Sequence, residues 1–220
     1  DGDAVREEYR EKILADIGEK YPDIQFLYEG QSRENKKTMV AISRVIPPIL
    51  ILVFLIIVVN FRSFTQALVV ILLIPFSIIG VLWGHFIQGF IVSMLSWFGT
   101  IALAGIVVNN SLVLVSTLNR KLKEGISFEK ALMQTGISRF RPVVLTSLTT
   151  IAGLGPLIFS GSHQSQFLSP MAVSVAYGLL FGTMLTLVML PSMLVALNAF
   201  RMRFYSLLNG KKISPEEAEP

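Results

Sequence analysis

The chain has 220 residues, of which 52% are hydrophobic and only 15% charged, and its mean hydropathy is +0.62. Soluble domains carry about 25% charged residues, so a soluble globular domain is excluded in favour of an integral membrane protein. The net charge of +4 does not mark a nucleic-acid binder, because the basic residues flank apolar runs, where anionic lipid and the charge bias of cytoplasmic loops account for them.

Residues 1–37 read as soluble. Val5, Tyr9, Ile13 and Ile17 place an apolar stripe on one helical face. Tyr21-Pro22-Asp23 should end that helix, and Ile24-Gln25-Phe26-Leu27-Tyr28 follows as a short strand. A lone helix and strand cannot bury a core, so this segment is expected to complete a domain lying elsewhere. The chain starts without an initiator Met or a signal peptide, and is expected to be a piece of a longer polypeptide.

Five apolar runs follow, each near the roughly 20 residues a helix needs to cross a bilayer core. The expected spans are about 39–60, 65–86, 93–118, 142–159 and 167–200. No Asp, Glu, Lys or Arg occurs from Pro142 to Phe200. The fifth run is longer than a bilayer requires and is expected to tilt or project. Residues 119–141 form a charged cytoplasmic loop with a short amphipathic helix, Ser127 as its N-cap and Gly136 as its stop. Residues 201–220 form a polar tail. The expected fold is therefore an all-α transmembrane bundle of five helices with a short α/β remnant at its N-terminus.

Loop charges set the expected orientation. The turn at Arg62, the 119–141 loop and the tail hold eleven Lys and Arg, whereas the alternate loops near Gln88 and His163 hold none. The positive-inside bias places the first set in the cytoplasm, with the N-terminal segment outside and the C-terminus inside.

Gly80 and Gly84 in the second span, and Gly178 and Gly182 in the fifth, form GxxxG pairs suited to close helix packing. In the third span, Ala102, Gly105, Asn109 and Ser116 share one small, polar helical face. Asn109 and Asn110 sit near its middle, pointing about 100° apart. Amides at that depth are costly unless partnered or wet: they either bond across helices or line a proton or ion path. In the fourth span, Arg139 stands at the cytoplasmic entrance, with Thr146, Thr150 and Gly153 near its face. The arginines either anchor the helix end or, for Arg139, reach inward to a carboxylate on another helix; the threonines of the anchor reading bond their own helix carbonyls. His85 and His163 fall at the outer ends of spans and suit interfacial packing better than metal ligation. Trp83 and Trp97 suit an outer aromatic belt. The chain lacks cysteine, and it shows no Ser/His/Asp grouping, glycine-rich phosphate loop or paired carboxylate. No catalytic residue, metal site or cofactor is therefore expected.

Two blocks carry a resemblance. Gly105-Ile-Val-Val-Asn-Asn-Ser-Leu-Val-Leu-Val115 and Arg139-Phe-Arg-Pro-Val-Val-Leu-Thr-Ser-Leu-Thr-Thr-Ile-Ala-Gly-Leu-Gly-Pro-Leu157 closely resemble the resistance–nodulation–division transporters, and Phe61-Arg-Ser-Phe resembles that family's turn between two spans. The resemblance implies a twelve-span transporter in two related halves, of which this chain is the last five spans and the end of the second, ferredoxin-like periplasmic insertion. It implies a bacterial inner-membrane exporter of amphiphilic or lipophilic compounds, driven by proton entry and commonly trimeric. Its partners would be the N-terminal half, a periplasmic adaptor, an outer-membrane channel and the lipid bilayer.

In the drug-efflux members two aspartates of the first half titrate. A lysine and an asparagine on the tenth span, and an arginine and a threonine on the eleventh, surround them. By resemblance, Asn109 stands at the lysine position, Asn110 at the asparagine, Arg139 at the arginine and Thr146 at the threonine. Asn109 departs from the lysine pattern and removes a cation, as many relatives do. The spans hold no Met or carboxylate cluster, which argues against metal export. Two other readings share these features: an accessory protein of secretion built on the same fold, and a membrane scaffold without transport. The sequence upstream of Asp1 distinguishes them.

Overall fold

The computed structural model describes residues 31–209, with side chains described for 37–162 and 165–200. The chain divides into two compact units, Asp1–Ala41 and Ile42–Pro220. The helix and strand expected within residues 1–30, and the tail beyond residue 209, lie outside the described residues.

Apart from short connections, the described residues are helical. Helix α1 spans Gln31–Phe61, α2 Phe64–Gln88, α3 Met94–Lys123, α4 Phe128–Phe159, α5 His163–Met184 and α6 Leu190–Asn209, with one π-helical turn at Leu185–Met189 joining α5 to α6. Five helical stretches are long and apolar enough to cross a membrane: Lys37–Phe61, Phe64–Gln88, Met94–Lys123, Phe128–Phe159 and Ser165–Phe200.

Local chemistry sets the breaks. Arg62 takes a left-handed backbone (φ 54°) between α1 and α2, and Ser63 then caps α2 by accepting from the Gln66 N–H. Gly89 ends α2 in the left-handed region (φ 71°), where a side chain would be strained. Ser93 and Ser96 form a reciprocal capping box at the start of α3. Gly125 (φ 80°) turns the chain after α3, with its N–H bonded to the Leu122 carbonyl at 3.0 Å.

The structure corrects the expected cytoplasmic loop. Helix α4 is continuous for 32 residues, so it runs through Gly136, which does not stop it, and through Pro142. Ser127 occupies the N-cap position but makes no side-chain cap bond. At 1.5 Å per residue α4 is about 48 Å long, against a hydrocarbon core of about 30 Å. Its first part therefore extends past the core, yet Met133, Ile137 and Phe140 are exposed there on the same stripe as Leu148. The stop failed because a mid-helix glycine costs only about 1 kcal/mol, which the burial of Phe128 and Ala131 offsets.

The long final span is also not a plain α-helix. Pro191 has no N–H to donate, and its ring would crowd the Leu187 carbonyl in a regular α turn. The preceding turn widens instead, so that the Leu190 N–H reaches the Leu185 carbonyl five residues back.

Helix α5 is central, and α2, α3 and α4 all pack against it. The core is apolar: Val70, Leu73, Leu103, Val107, Leu114, Leu179, Leu190 and Leu194 are fully or almost fully buried. Helix α1 joins this core only near its C-terminal end, through buried Ile57 and Phe61, while Phe54 meets Phe64 edge-to-face at 5.0 Å.

The glycines explain how closely α2, α3 and α5 approach. A Cβ at Gly80 would lie 2.8 Å from the Tyr177 carbonyl oxygen and 3.2 Å from the Gly178 Cα. One at Gly84 would meet Tyr177 Cβ, one at Gly178 would meet Leu103, and one at Gly182 would lie 3.0 Å from Val107. Gly99, which the sequence did not single out, belongs with them: its Cβ would fall 2.6 Å from the Met171 carbonyl oxygen.

Candidate functional site

Helix α3 has two unlike sides. Ser96, Gly99, Leu103, Val107, Ser111, Leu114 and Leu118 recur at helical spacing and are buried. Ala102, Gly105, Asn109 and Ser116 are all exposed, and a Cβ added at Gly105 would meet nothing within 4 Å. The small polar face expected from the sequence thus points away from the other described helices. Asn110 is half-buried, and Asn109 is exposed.

Helix α4 continues this open surface. Thr146 and Thr149 are exposed and Thr150 is half-buried, and a Cβ at Gly153 would meet nothing within 4 Å. The hydroxyls donate to their own helix: Thr146 to the Pro142 carbonyl at 2.8 Å, Thr149 to Leu145 and Thr146 at 3.0 Å each, and Thr150 to Thr146 at 2.9 Å. With the proton committed to the backbone, each hydroxyl turns its acceptor lone pairs outward; rotation frees the proton for an outside acceptor.

Arg139 is half-buried and Arg141 is exposed. The Arg139 Nε donates to Thr117 Oγ1 at 3.0 Å, and Thr117 Oγ1 donates to the Val113 carbonyl at 2.7 Å. Arg139 is therefore aimed at α3 rather than splayed at the helix end. Thr117 was not identified in the sequence. Its signal was present, since it lies seven residues after Asn110 on the same helical stripe.

This contact sets the register between the two helices. They are consecutive, joined by a short turn and antiparallel. Seven residues into α3 from Thr117 is Asn110, and seven residues into α4 from Arg139 is Thr146. Both steps are about 10 Å, so Asn110 and Thr146 lie at about the same depth. The structure thus puts Asn110, Thr117, Arg139 and Thr146 along one α3–α4 flank, with Asn109 a step around the helix on the open face.

Other polar groups are structural. His85, in the last turn of α2, is buried: its Nδ1 lies 2.9 Å from the Val81 carbonyl and its Nε2 2.7 Å from Ser96 Oγ. The same Ser96 closes the α3 capping box, so the imidazole fixes the α2–α3 turn. The side chain of His163 is outside the described set. Gln66 and Asn119 exchange both amide bonds at 3.0 and 2.8 Å, and Ser147 bonds Thr183 at 2.6 Å across α4 and α5.

Bilayer-length helices closed on one side by a glycine seam and left open and polar on the other define a multi-span helical membrane protein. Residues 8–198 match the model of the AcrB/AcrD/AcrF family, and the chain belongs to this family of resistance–nodulation–division transporters. It is 38% identical over 104 residues to the swarming motility protein SwrC of Bacillus subtilis (strain 168), covering 47% of this chain and 10% of that protein. It is 26% identical over 193 residues to the multidrug resistance protein MdtC of Salmonella agona (strain SL483), covering 87% of this chain and 19% of that protein. Among solved structures, it matches a heavy metal efflux pump (crystal form II) with a TM-score of 0.72 and 26% identity, covering 88% of this chain and 20% of the pump. The chain thus spans a fifth or less of the length of these proteins.

Proposed function

We propose that this chain is the C-terminal membrane part, the last five of twelve spans, of a proton-driven exporter of amphiphilic or lipophilic compounds in a bacterial inner membrane. The observation that carries this reading is the open polar flank of α3 and α4, where Asn109, Thr146 and Thr149 are exposed at membrane depth. Polar groups at that depth need partners or water, so the flank is fitted to meet polar groups from outside this chain.

In this reading the carboxylates that titrate belong to the N-terminal half. Arg139 supplies a cation, Asn110 and Thr146 supply hydrogen bonds, and Asn109 is a neutral neighbour. An arginine acts here by changing partner, whereas a threonine hydroxyl can donate or accept and so serves a carboxyl group in either protonation state. The transporter works as a homotrimer with a periplasmic adaptor and an outer-membrane channel. Substrate choice lies largely in periplasmic domains outside this chain; the multidrug relative supports an organic substrate class.

The test compares Arg139→Ala, Arg139→Lys and Arg141→Ala in the full-length transporter at matched expression. Arg139→Ala should lower proton-coupled efflux at least about tenfold, equivalent to roughly 1.4 kcal/mol, while Arg141→Ala stays near wild type. Equal tolerance of both alanines would leave Arg139 as a helix anchor only.

Orientation is tested separately. The proposed topology puts the 1–37 segment in the periplasm and the 201–220 tail in the cytoplasm. Single cysteines replacing Gly161 and Glu124, both exposed, should label from opposite sides of the membrane. Labelling from one side would reject it.

A further inference from the structure

An open pocket of about 400 Å³ lies where α1 and α3 end, at the end of the open α3 face that carries Ser116. It is lined by Asn60, Phe61, Arg62, Ser116, Asn119, Arg120 and Lys123. We propose that this pocket binds the phosphate headgroup of an anionic glycerophospholipid.

Charge is the first reason. Three cations line the pocket, and the carboxylate beside it, Glu124, sits 3.9 Å from Arg120 with both side chains more than half exposed. Such a surface pair is weak and leaves Arg120 able to turn to a stronger anion. Among the described residues, Arg62 and Lys123 form no ion pair.

Rigidity is the second. Asn119 is held by the double amide bond to Gln66, whose side chain is fully buried. Arg62 is fixed in a one-residue left-handed turn between two helices. The pocket wall is therefore set before a ligand arrives.

Depth is the third, and it selects a lipid over a free phosphate. The apolar run of α1 ends at Val59 and that of α3 at Leu118, so the cations begin at the level of the headgroups. Along α1 from Asn60, at helical spacing, Ile56 and Ile49 are exposed and Val53 is half-buried. They form an apolar track for an acyl chain whose phosphate sits among Arg62, Arg120 and Lys123. A zwitterionic choline head would bring its own cation into this cluster and bind less well.

The inference rests only on the membrane-spanning fold and not on the transport reading. The experiment is lipid titration of the full-length transporter in detergent, followed by native mass spectrometry. Probes are phosphatidylglycerol, phosphatidylcholine and soluble glycerol 1-phosphate. Wild type should prefer phosphatidylglycerol to phosphatidylcholine. Lys123→Gln should weaken phosphatidylglycerol binding about fivefold and Arg62→Gln with Lys123→Gln about twenty-five-fold, with phosphatidylcholine unchanged. Lys130→Gln with Arg141→Gln removes two exposed cations elsewhere and should change neither lipid. If glycerol 1-phosphate displaces the lipid and itself weakens in the pocket variants, the phosphate site stands and a free anion can fill it. The proposal is overturned if the pocket variants match wild type, or if the control pair loses phosphatidylglycerol equally.

Discussion

Two sets of glycines in this bundle do opposite work. Gly80, Gly84, Gly99, Gly178 and Gly182 lie where α2, α3 and α5 meet, and a Cβ at any of them would press on a neighbour. Gly105 and Gly153 lie on the open flank of α3 and α4, where a Cβ would meet nothing within 4 Å. The first set is small because of what this chain packs against itself. The second is small with no cause inside the described residues, which directs attention to a surface from another part of the transporter. In a membrane helix, then, a small residue marks an approaching neighbour, and whether that neighbour is present separates internal packing from an interface.

Substitutions in the full-length transporter sharpen this contrast. Gly84→Ala should have the largest effect, because it drives a methyl into Tyr177 at its stem, which cannot swing away. We expect a stability loss of about 2 kcal/mol, read as a lower midpoint in thermal unfolding in detergent. Gly153→Leu should leave that midpoint nearly unchanged, within about 0.5 kcal/mol, yet lower efflux by intruding on the facing surface. If Gly153→Leu is silent in both assays, the open flank faces only lipid. The smallest expected difference is between the two amides. Asn110→Ala should reduce proton-coupled efflux several times more than Asn109→Ala, because Asn110 shares the flank that holds Thr117 and Arg139. The reverse order would place the coupling groups over the exposed face of Asn109 instead.

Much of this was legible in the sequence, for a physical reason. Apolar length alone sets a spanning helix, so all five spans could be read from runs of hydrophobic residues. The glycine pairs at 80/84 and 178/182 could be read because their spacing repeats on one face. Features that depend on another helix were harder to see. Thr117 is one hydroxyl among many until Arg139 is brought against it. The partner of His85, Ser96, cannot be read until the next helix is folded back against it. The continuity of α4 was hidden because Gly136 and Pro142 carry local stop signals that tertiary burial and the membrane override. The first and third spans show a related limit. In its most apolar window α1 is only 6% buried, whereas α3 is 44% buried. Lipid and protein interior are equally apolar, so hydropathy cannot tell which side of a span faces which.

The central claim is that the α3–α4 flank receives titrating carboxylates from the rest of the transporter. A structure of the full-length protein at side-chain resolution tests it most directly. A carboxylate from the preceding half should lie within about 3 Å of the Arg139 guanidinium, the Thr146 hydroxyl or the Asn110 amide. A flank covered by acyl chains, or by a helix that brings no carboxylate to these three groups, would contradict it.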